Sequence, residues 1–277
     1  MWDVIPDGLP AMPAPLPHPV MDSHTHIDIV ARPGWGPAEQ IEAAAKVGVD
    51  RLVQIGVDVA SSRWAISLAQ EHDAVVATVA LHPNDAPRVS NLDESLDLIR
   101  AMAEHERVRA IGETGLDFYR TSGEGLKPQE RSFREHIAIA KRTGKPLVVH
   151  DRDAHADILR VIDDEGVPGD VVMHCFSGDP EFAEQCTKRG FTLSFAGTVT
   201  FKNAPHLREA AKNTPLHRIL VETDAPYLTP MPYRGRPNAS YLIPVTVKAL
   251  AEIKGVALQE MCEALSANGE RLFGPWK

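Results

Sequence analysis

Five short apolar runs in this chain end in side chains that bind divalent metals: His24 and His26, Glu113, His150, His174 and Asp224. Imidazole nitrogens and carboxylate oxygens are the ligands of hydrolytic metal centres, where a cation polarises a substrate oxygen and acidifies water. Each residue alone has a plainer use. A His-x-His pair can bond its neighbours at a rim, a lone glutamate can face solvent, a core histidine can donate to a backbone carbonyl, and an aspartate after a strand can cap a helix. Recurrence at the ends of separate runs is what points to one shared centre.

The spacing suggests a division of roles. His24 and His26 lie two apart, so an extended backbone turns both rings to one side and Thr25 to the other. Glu113 follows Ala110-Ile111-Gly112, where a carboxylate entering a common mouth can bridge two cations. His150 and His174 are each reached directly from apolar sequence, and neutral imidazole is the commonest metal ligand. Asp224 ends Leu220-Val221-Glu222-Thr223, with Glu222 on the same face one layer deeper. Asp224 is then placed to ligate metal and take a proton from the attacking water, and Glu222 to orient a ligating histidine. His82, Arg120, Arg152, Lys202, Asn203, Arg234 and Asn238 fall in predicted loops on the same rim and are candidates to orient or neutralise a phosphate. Exposed Arg and Lys commonly serve only as solvated surface. His72, His105, His136 and His206 are read as surface residues of helical segments.

What must position these side chains is a regular alternation. Predicted strands cover 19–23, 51–55, 75–81, 108–111, 147–149, 171–173, 191–195 and 219–221, all short and apolar. Helix-length segments lie between them at 37–47, 61–71, 92–104, 129–142, 154–164 and 180–188, and 243–273 reads as two closing helices. Alternation of this kind means a parallel sheet buried on both faces, and eight repeats predict a closed (β/α)8 barrel of the TIM type. An open doubly wound sheet would usually carry a Gly-rich loop after its first strand; His24-Thr25-His26 stands there instead. Gly144 and Gly190 follow helical segments and precede strands, as terminating glycines at the opposite rim do. Every proposed ligand sits at the other end of a strand, the face on which barrels build active sites.

The chain of 277 residues is long enough for one such domain, expected over 21–277, behind a proline-rich irregular extension over 1–20 that lacks the features of a signal peptide. A net charge of −9 argues against a broad basic nucleic-acid face, although bound dications and a few local Arg and Lys residues can make a cleft positive within an acidic whole. No apolar stretch approaches a membrane span. Cys175, Cys186 and Cys262 are odd in number and widely spaced, which suggests neither disulfides nor a zinc finger and fits a cytoplasmic protein.

The stretches Asp22-Ser23-His24-Thr25-His26, Ile111-Gly112-Glu113-Thr114-Gly115-Leu116-Asp117, His174-Cys175-Phe176-Ser177-Gly178 and Val221-Glu222-Thr223-Asp224-Ala225-Pro226-Tyr227-Leu228 closely resemble the TatD family of metal-dependent deoxyribonucleases. Segments from His150, Ser194 and Arg234 resemble it too, so only the proline-rich start is unmatched. The resemblance implies an amidohydrolase-like barrel with two divalent ions: His24, His26 and Asp224 around one, His150 and His174 around the other, and Glu113 shared. It implies DNA as substrate, hydrolysed at phosphodiester bonds and often from the 3′ end. Hydrolysis of a small amide, lactone or phosphoester on the same barrel is the alternative. The donor set accepts zinc or manganese, and its carboxylates with a phosphate substrate accept magnesium. The chain departs from the family pattern at Asn84, where relatives often carry a second histidine after His82-Pro83, and at Thr114, a frequent cysteine.

Overall fold

The computed structural model describes residues 8–30 and 34–276. Eight strands follow one another: β1 (Val20–Thr25), β2 (Val49–Gln54), β3 (Val75–Val79), β4 (Val108–Asp117), β5 (Leu147–Arg152), β6 (Val171–Met173), β7 (Thr192–Phe195) and β8 (Ile219–Val221). They form one sheet in chain order, every neighbouring pair parallel. The helices between them are α1 (Ile27–Val30), α2 (Pro37–Lys46), α3 (Val59–Glu71), α4 (Leu92–Met102), α5 (Leu126–Thr143), α6 (His155–Glu165), α7 (Pro180–Lys188) and α8 (Pro205–Asn213), and α9 (Ile243–Lys254) and α10 (Leu258–Phe273) follow β8. This is the expected (β/α)8 barrel.

The seam between β8 and β1 closes just beyond the regular ladder. Asp224 N donates to His24 O at 2.9 Å and His26 N donates to Ala225 O at 2.9 Å. Below them Ser23 Oγ donates to Val221 O at 3.0 Å, and the buried Asp22 carboxylate accepts from Thr223 N at 2.9 Å and Thr223 Oγ1 at 2.5 Å. The barrel is therefore stapled shut by the residues that flank the predicted ligands.

Alternation along the strands divides the apolar side chains into two cores. Met21, Val53, Ile55, Val76, Ala110, Val148, Val172 and Leu220 fill the interior, floored by Leu272, Phe273 and Trp276 around the end of α10. Leu52, Val75, Ile111, Leu147, Val171, Leu193 and Ile219 pack outward against the helices. Truncating one of the large interior residues to alanine would cost roughly 2–5 kcal/mol. Asp58, Asn91 and Asp179 cap α3, α4 and α7 with side-chain oxygens, so three helix starts at the site-bearing rim are fixed by short polar residues. At the opposite rim Gly144 and Gly190 take the expected positive φ, 65° and 82°.

Beyond shifts of one to three residues at other element ends, which include β1 running on to Thr25, and the short helix α1, sequence expectation and structure differ in three places. Strands β4 and β5 run on to Asp117 and Arg152, because the two go on pairing through Asp117 and Arg152 after their apolar residues end. Glu113 and His150 consequently lie within strands rather than after them. Helix α8 was not anticipated: only Leu207, Ala210 and Ala211 of it are buried, too thin a stripe to read as periodic. His136, expected at the surface, is fully buried on α5, where Nδ1 donates to Ser132 O at 2.6 Å and Nε2 accepts from Leu81 N at 3.0 Å.

Residues 1–7 of the proline-rich extension lie outside the described residues. The part from Gly8 onward is irregular and lies on the barrel, with Leu9 and Leu16 in the outer core. Tyr241 Oη donates to Pro10 O at 2.6 Å, Arg236 donates to Gly8 O at 3.3 Å and to Leu9 O, and Leu16 N donates to Val47 O at 3.0 Å. Arg236 belongs to the long loop after β8, so this segment and that loop hold each other. Among the described residues, no helix is long and apolar enough to cross a membrane.

Candidate metal centre

Simple alternation delivers half of the predicted ligands. Val148, Val172 and Leu220 point into the barrel, so His150, His174, Glu222 and Asp224, two or four residues later, share that direction. His24 and Glu113 break the rule: they stand three residues after the inward-facing Met21 and Ala110. Register irregularities between Asp22 and Thr25 and between Ile111 and Thr114 re-aim them, as bulges beside active sites do. Gly115 makes the second possible, since a Cβ there would lie 2.0 Å from His150 O, closer than any side chain tolerates.

The six residues converge around two carboxylates. Glu113 Oε2 is 3.4 Å from His24 Nε2, and its Oε1 is 2.6 Å from His150 Nδ1 and 3.4 Å from both His174 Nε2 and His82 Nε2. Asp224 Oδ1 is 3.4 Å from His26 Nε2 and 3.7 Å from His24 Nε2. Glu113 thus stands between two sets of imidazoles, and Asp224 closes the set formed by His24 and His26. His82, expected only to meet substrate, joins the other set, with its Nδ1 accepting from Asn84 N at 3.1 Å and its Nε2 left to face Glu113.

These side chains fit divalent cations. Two ligand atoms each about 2.0–2.2 Å from a tetrahedral ion stand about 3.4 Å apart, too far for a strong hydrogen bond and the separation that recurs here. Among the described residues six buried side-chain nitrogen or oxygen atoms have no hydrogen-bond partner, and four of them are His24 Nδ1 and Nε2, His174 Nδ1 and Glu222 Oε2. Burying polar atoms without partners costs stability, so their concentration at one point marks a place for something they can bind. His24, His26 and Glu113 place ligand atoms within 4.8 Å of one another, as do His24, His174 and Asp224, and also His82, Glu113 and His150.

Further carboxylates lie against two of the rings. Glu222 is fully buried with Oε1 2.9 Å from His174 Nδ1, out of line for a hydrogen bond, and the same oxygen accepts from Cys175 N at 2.9 Å. Asp117 Oδ2 is 3.3 Å from His150 Nε2 and accepts from Asn84 Nδ2 at 2.8 Å, while Oδ1 accepts from Arg120 N at 2.8 Å. Asp22 and Asp117 are not singled out by the sequence, and Asn84 stands out there only as a departure from the family pattern. The available signal was an acid embedded in an apolar strand, which the motif Asp22-Ser23-His24 and the motif ending at Asp117 both display.

Burial opposes charge throughout the cluster, and the outcome differs by residue. At His24 burial prevails, with His174 pushing the same way, and the imidazole is held below its usual range. At His174 the carboxylates of Glu222 and Glu113 outweigh burial and raise the pKa to about 10; at His150 Asp117 and Glu113 raise it to about 9. Despite burial, His174 and His82 hold Glu113 well below the carboxylate range, and His26 does the same for Asp224 to a lesser degree. The cluster is an alternation of negative and proton-holding groups, the electrostatic setting in which cations displace protons.

The other predicted rim residues are more dispersed. Arg152 lies with its guanidinium 4.0 Å over the Tyr119 ring, and Arg234 lies 4.3 Å over Phe201. Arg120, Lys202 and Asn203 are exposed. Asn238 is fully buried, its Nδ2 donating to Thr223 O at 2.9 Å and Tyr227 O at 2.7 Å, so its amide holds the chain after Asp224 in place.

Comparison with known proteins agrees with this geometry. Residues 21–274 match the family model described as TatD related DNase. The chain is 42% identical over 261 residues to an uncharacterized metal-dependent hydrolase, TatD, of Mycobacterium tuberculosis, covering 92% of this chain and 98% of that protein. Among solved structures, YJJV, a TatD homolog from Escherichia coli, superposes with a TM-score of 0.84 at 27% identity, covering 92% of this chain and 98% of that one. An uncharacterized amidohydrolase from Saccharomyces cerevisiae shares the fold, with a TM-score of 0.77 at 17% identity, covering 93% of this chain and 100% of that one. A barrel whose strand ends gather imidazoles around two carboxylates, matched along nearly its whole length, belongs to the TatD family of metal-dependent hydrolases.

Proposed function

We propose that this protein is a deoxyribonuclease that hydrolyses phosphodiester bonds, working inward from a 3′ end with two divalent cations. The observation that carries the reading is His24: fully buried, both ring nitrogens without a partner, and facing Glu113 and Asp224 at 3.4 Å and 3.7 Å. His24, His26 and Asp224 would hold one cation, His150 and His174 the other, and Glu113 both. Zinc, manganese and magnesium suit these donors. Bound there, the cations supply the Lewis-acid charge that polarises a phosphoryl oxygen and acidifies water.

The protein groups divide the remaining work. Asp224 is the proton acceptor: its side chain is 16% exposed where Glu113 is 5% and Glu222 is 1%, and its depressed pKa keeps it ionised at neutral pH. Glu222 sets the orientation of His174, and Asp117, held by Asn84, sets that of His150. Asn84 thus has a positioning task at the point where the chain departs from the family pattern. Arg120, Arg152, Lys202, Asn203 and Arg234 are the rim groups available to phosphate oxygens, and Asn238 contributes by fixing the loop they approach. Three unpaired cysteines suit a reducing cytoplasm.

The acidic net charge of −9 favours the second reading, a hydrolase of a small amide, lactone or phosphoester. Salt separates the two, since a nuclease that contacts several phosphates loses substrate affinity steeply as salt rises and a small-molecule enzyme barely responds. The direct test is end-labelled single- and double-stranded DNA incubated with the purified protein, with and without chelator. A chelator-sensitive ladder shortening from the 3′ end is expected. Intact DNA with every metal tried would overturn the proposal.

A further inference from the structure

Two cations held as proposed above leave a pair of buried atoms unexplained. His174 faces Glu113 through Nε2, at 3.4 Å. Its other nitrogen, Nδ1, is buried without a hydrogen-bond partner, and so is Glu222 Oε2. Neither atom is in the ligand set around Glu113 and Asp224. His174 is 5% exposed and Glu222 not at all. The other Glu222 oxygen, Oε1, accepts from Cys175 N at 2.9 Å and stands 2.9 Å from His174 Nδ1. A buried carboxylate with one oxygen bare is costly unless a cation meets it.

Sulfur completes this corner. His174, Cys175 and Glu222 bring a ring nitrogen, the thiol and a carboxylate oxygen within 4.8 Å of one another, and among the described residues no other such group includes a cysteine. Cys175 is half-buried, whereas Cys186 and Cys262 are buried, so a small ion can reach the Cys175 sulfur from solvent. Thiolate, imidazole and carboxylate together suit zinc or the softer cadmium ion far better than magnesium or manganese.

From this corner we infer that Cys175 Sγ, Glu222 and His174 Nδ1 form a further cation site, selective for thiophilic metals, that inhibits the hydrolytic centre. As the ion binds, the thiol gives its proton to solvent and a sulfur–metal bond forms. A neutral imidazole has one nitrogen lone pair and one N–H. With Nδ1 on the soft ion, the ring proton stays on Nε2, and His174 is lost as a ligand to the cation beside Glu113. The two ions compete for one ring. That competition rests on the two-cation reading above; the soft-ion site itself does not.

The test uses the full-length protein loaded with zinc and then titrated with cadmium alone. The ultraviolet thiolate-to-cadmium charge-transfer band reports binding, and elemental analysis of the desalted protein reports the zinc that remains. The wild-type protein should show the band and lose zinc in step with it. Cys175→Ser and Cys175→Ala should show no band and keep their zinc at the same cadmium concentration, with the melting temperature unchanged. Glu222→Gln should raise the cadmium needed for half of the band by at least about 10-fold. Absence of the band in the wild type, a band that survives in Cys175→Ser, or equal loss of zinc from both proteins overturns the inference. A band in a wild-type protein that never took up zinc would instead remove the two-cation centre and leave the soft-ion site standing.

Discussion

Two buried histidines in this molecule are accounted for in opposite ways. His136, between α5 and the end of β3, has both ring nitrogens engaged, one donating to Ser132 O and one accepting from Leu81 N. His24, at the end of β1, is equally buried and has neither engaged. An imidazole with two partners repays its desolvation inside the fold, whereas one with none leaves that cost to be met from outside. The difference separates a histidine that serves stability from one that serves a ligand, and burial alone does not make the distinction.

Exchanging the two losses gives the largest contrast. His24→Ala should lower metal-dependent turnover by roughly 10³-fold or more, beyond the roughly 10–100-fold typical of losing a group that merely supports a ligand, with the melting temperature nearly unchanged. His136→Leu should do the reverse. It leaves Leu81 N buried without a partner, at about 1–3 kcal/mol, and each kcal/mol should lower the melting temperature by about 2–4 °C. Calorimetry and turnover on both variants decide the matter, and a His24 variant that melts as low as the His136 variant would erase the contrast.

Metal loading should also depend strongly on pH. His150 and His174 keep their protons to about 9 and about 10 without a cation, so loading must expel protons at neutral pH. Affinity should climb as pH rises from 7 towards 9, by up to about tenfold per unit for each proton displaced. Titration calorimetry in buffers of different ionisation enthalpy counts those protons, and a count of zero at pH 7 would mean the imidazoles are already free.

His136 sets the next effect and its sign is opposite. Burial lowers its pKa to about 4, so the folded protein binds this proton less readily than the unfolded chain. The stability it permits is complete above about pH 6.5 and is lost as pH falls towards 4, by about 3 kcal/mol in all. Denaturant midpoints measured from pH 7 to 4 should therefore fall less steeply in His136→Leu than in the wild type. The smallest effect expected is that of Tyr241→Phe, which removes one hydrogen bond to Pro10 O and should cost about 1 kcal/mol. Faster proteolysis of the segment before β1 would report it.

Much of this was legible in the sequence because barrel strands announce themselves as continuous apolar runs and because ligands at their ends break those runs. All eight strands and all six convergent side chains could be read that way. Less legible was anything that depends on where a run stops mattering to the ladder: β4 continues six residues past Ile111 through polar and glycine positions, carrying Glu113 inside the strand. His136 was misread because its helix, 18 residues long, has an amphipathic pattern in which a histidine suits either face. The supporting roles of Asp117 and Asn84 stayed hidden because each acts by holding other side chains, and partners far apart in sequence leave no spacing to recognise.

The central claim is that the unpartnered nitrogens of His24 await a cation. An anomalous difference map from crystals soaked in manganese, with a parallel crystal of His24→Ala, tests it most directly. The account predicts a peak in contact with His24 Nε2, Glu113 and Asp224 that vanishes in the variant. A wild-type map with no peak there, in a crystal that shows manganese bound elsewhere, would contradict it.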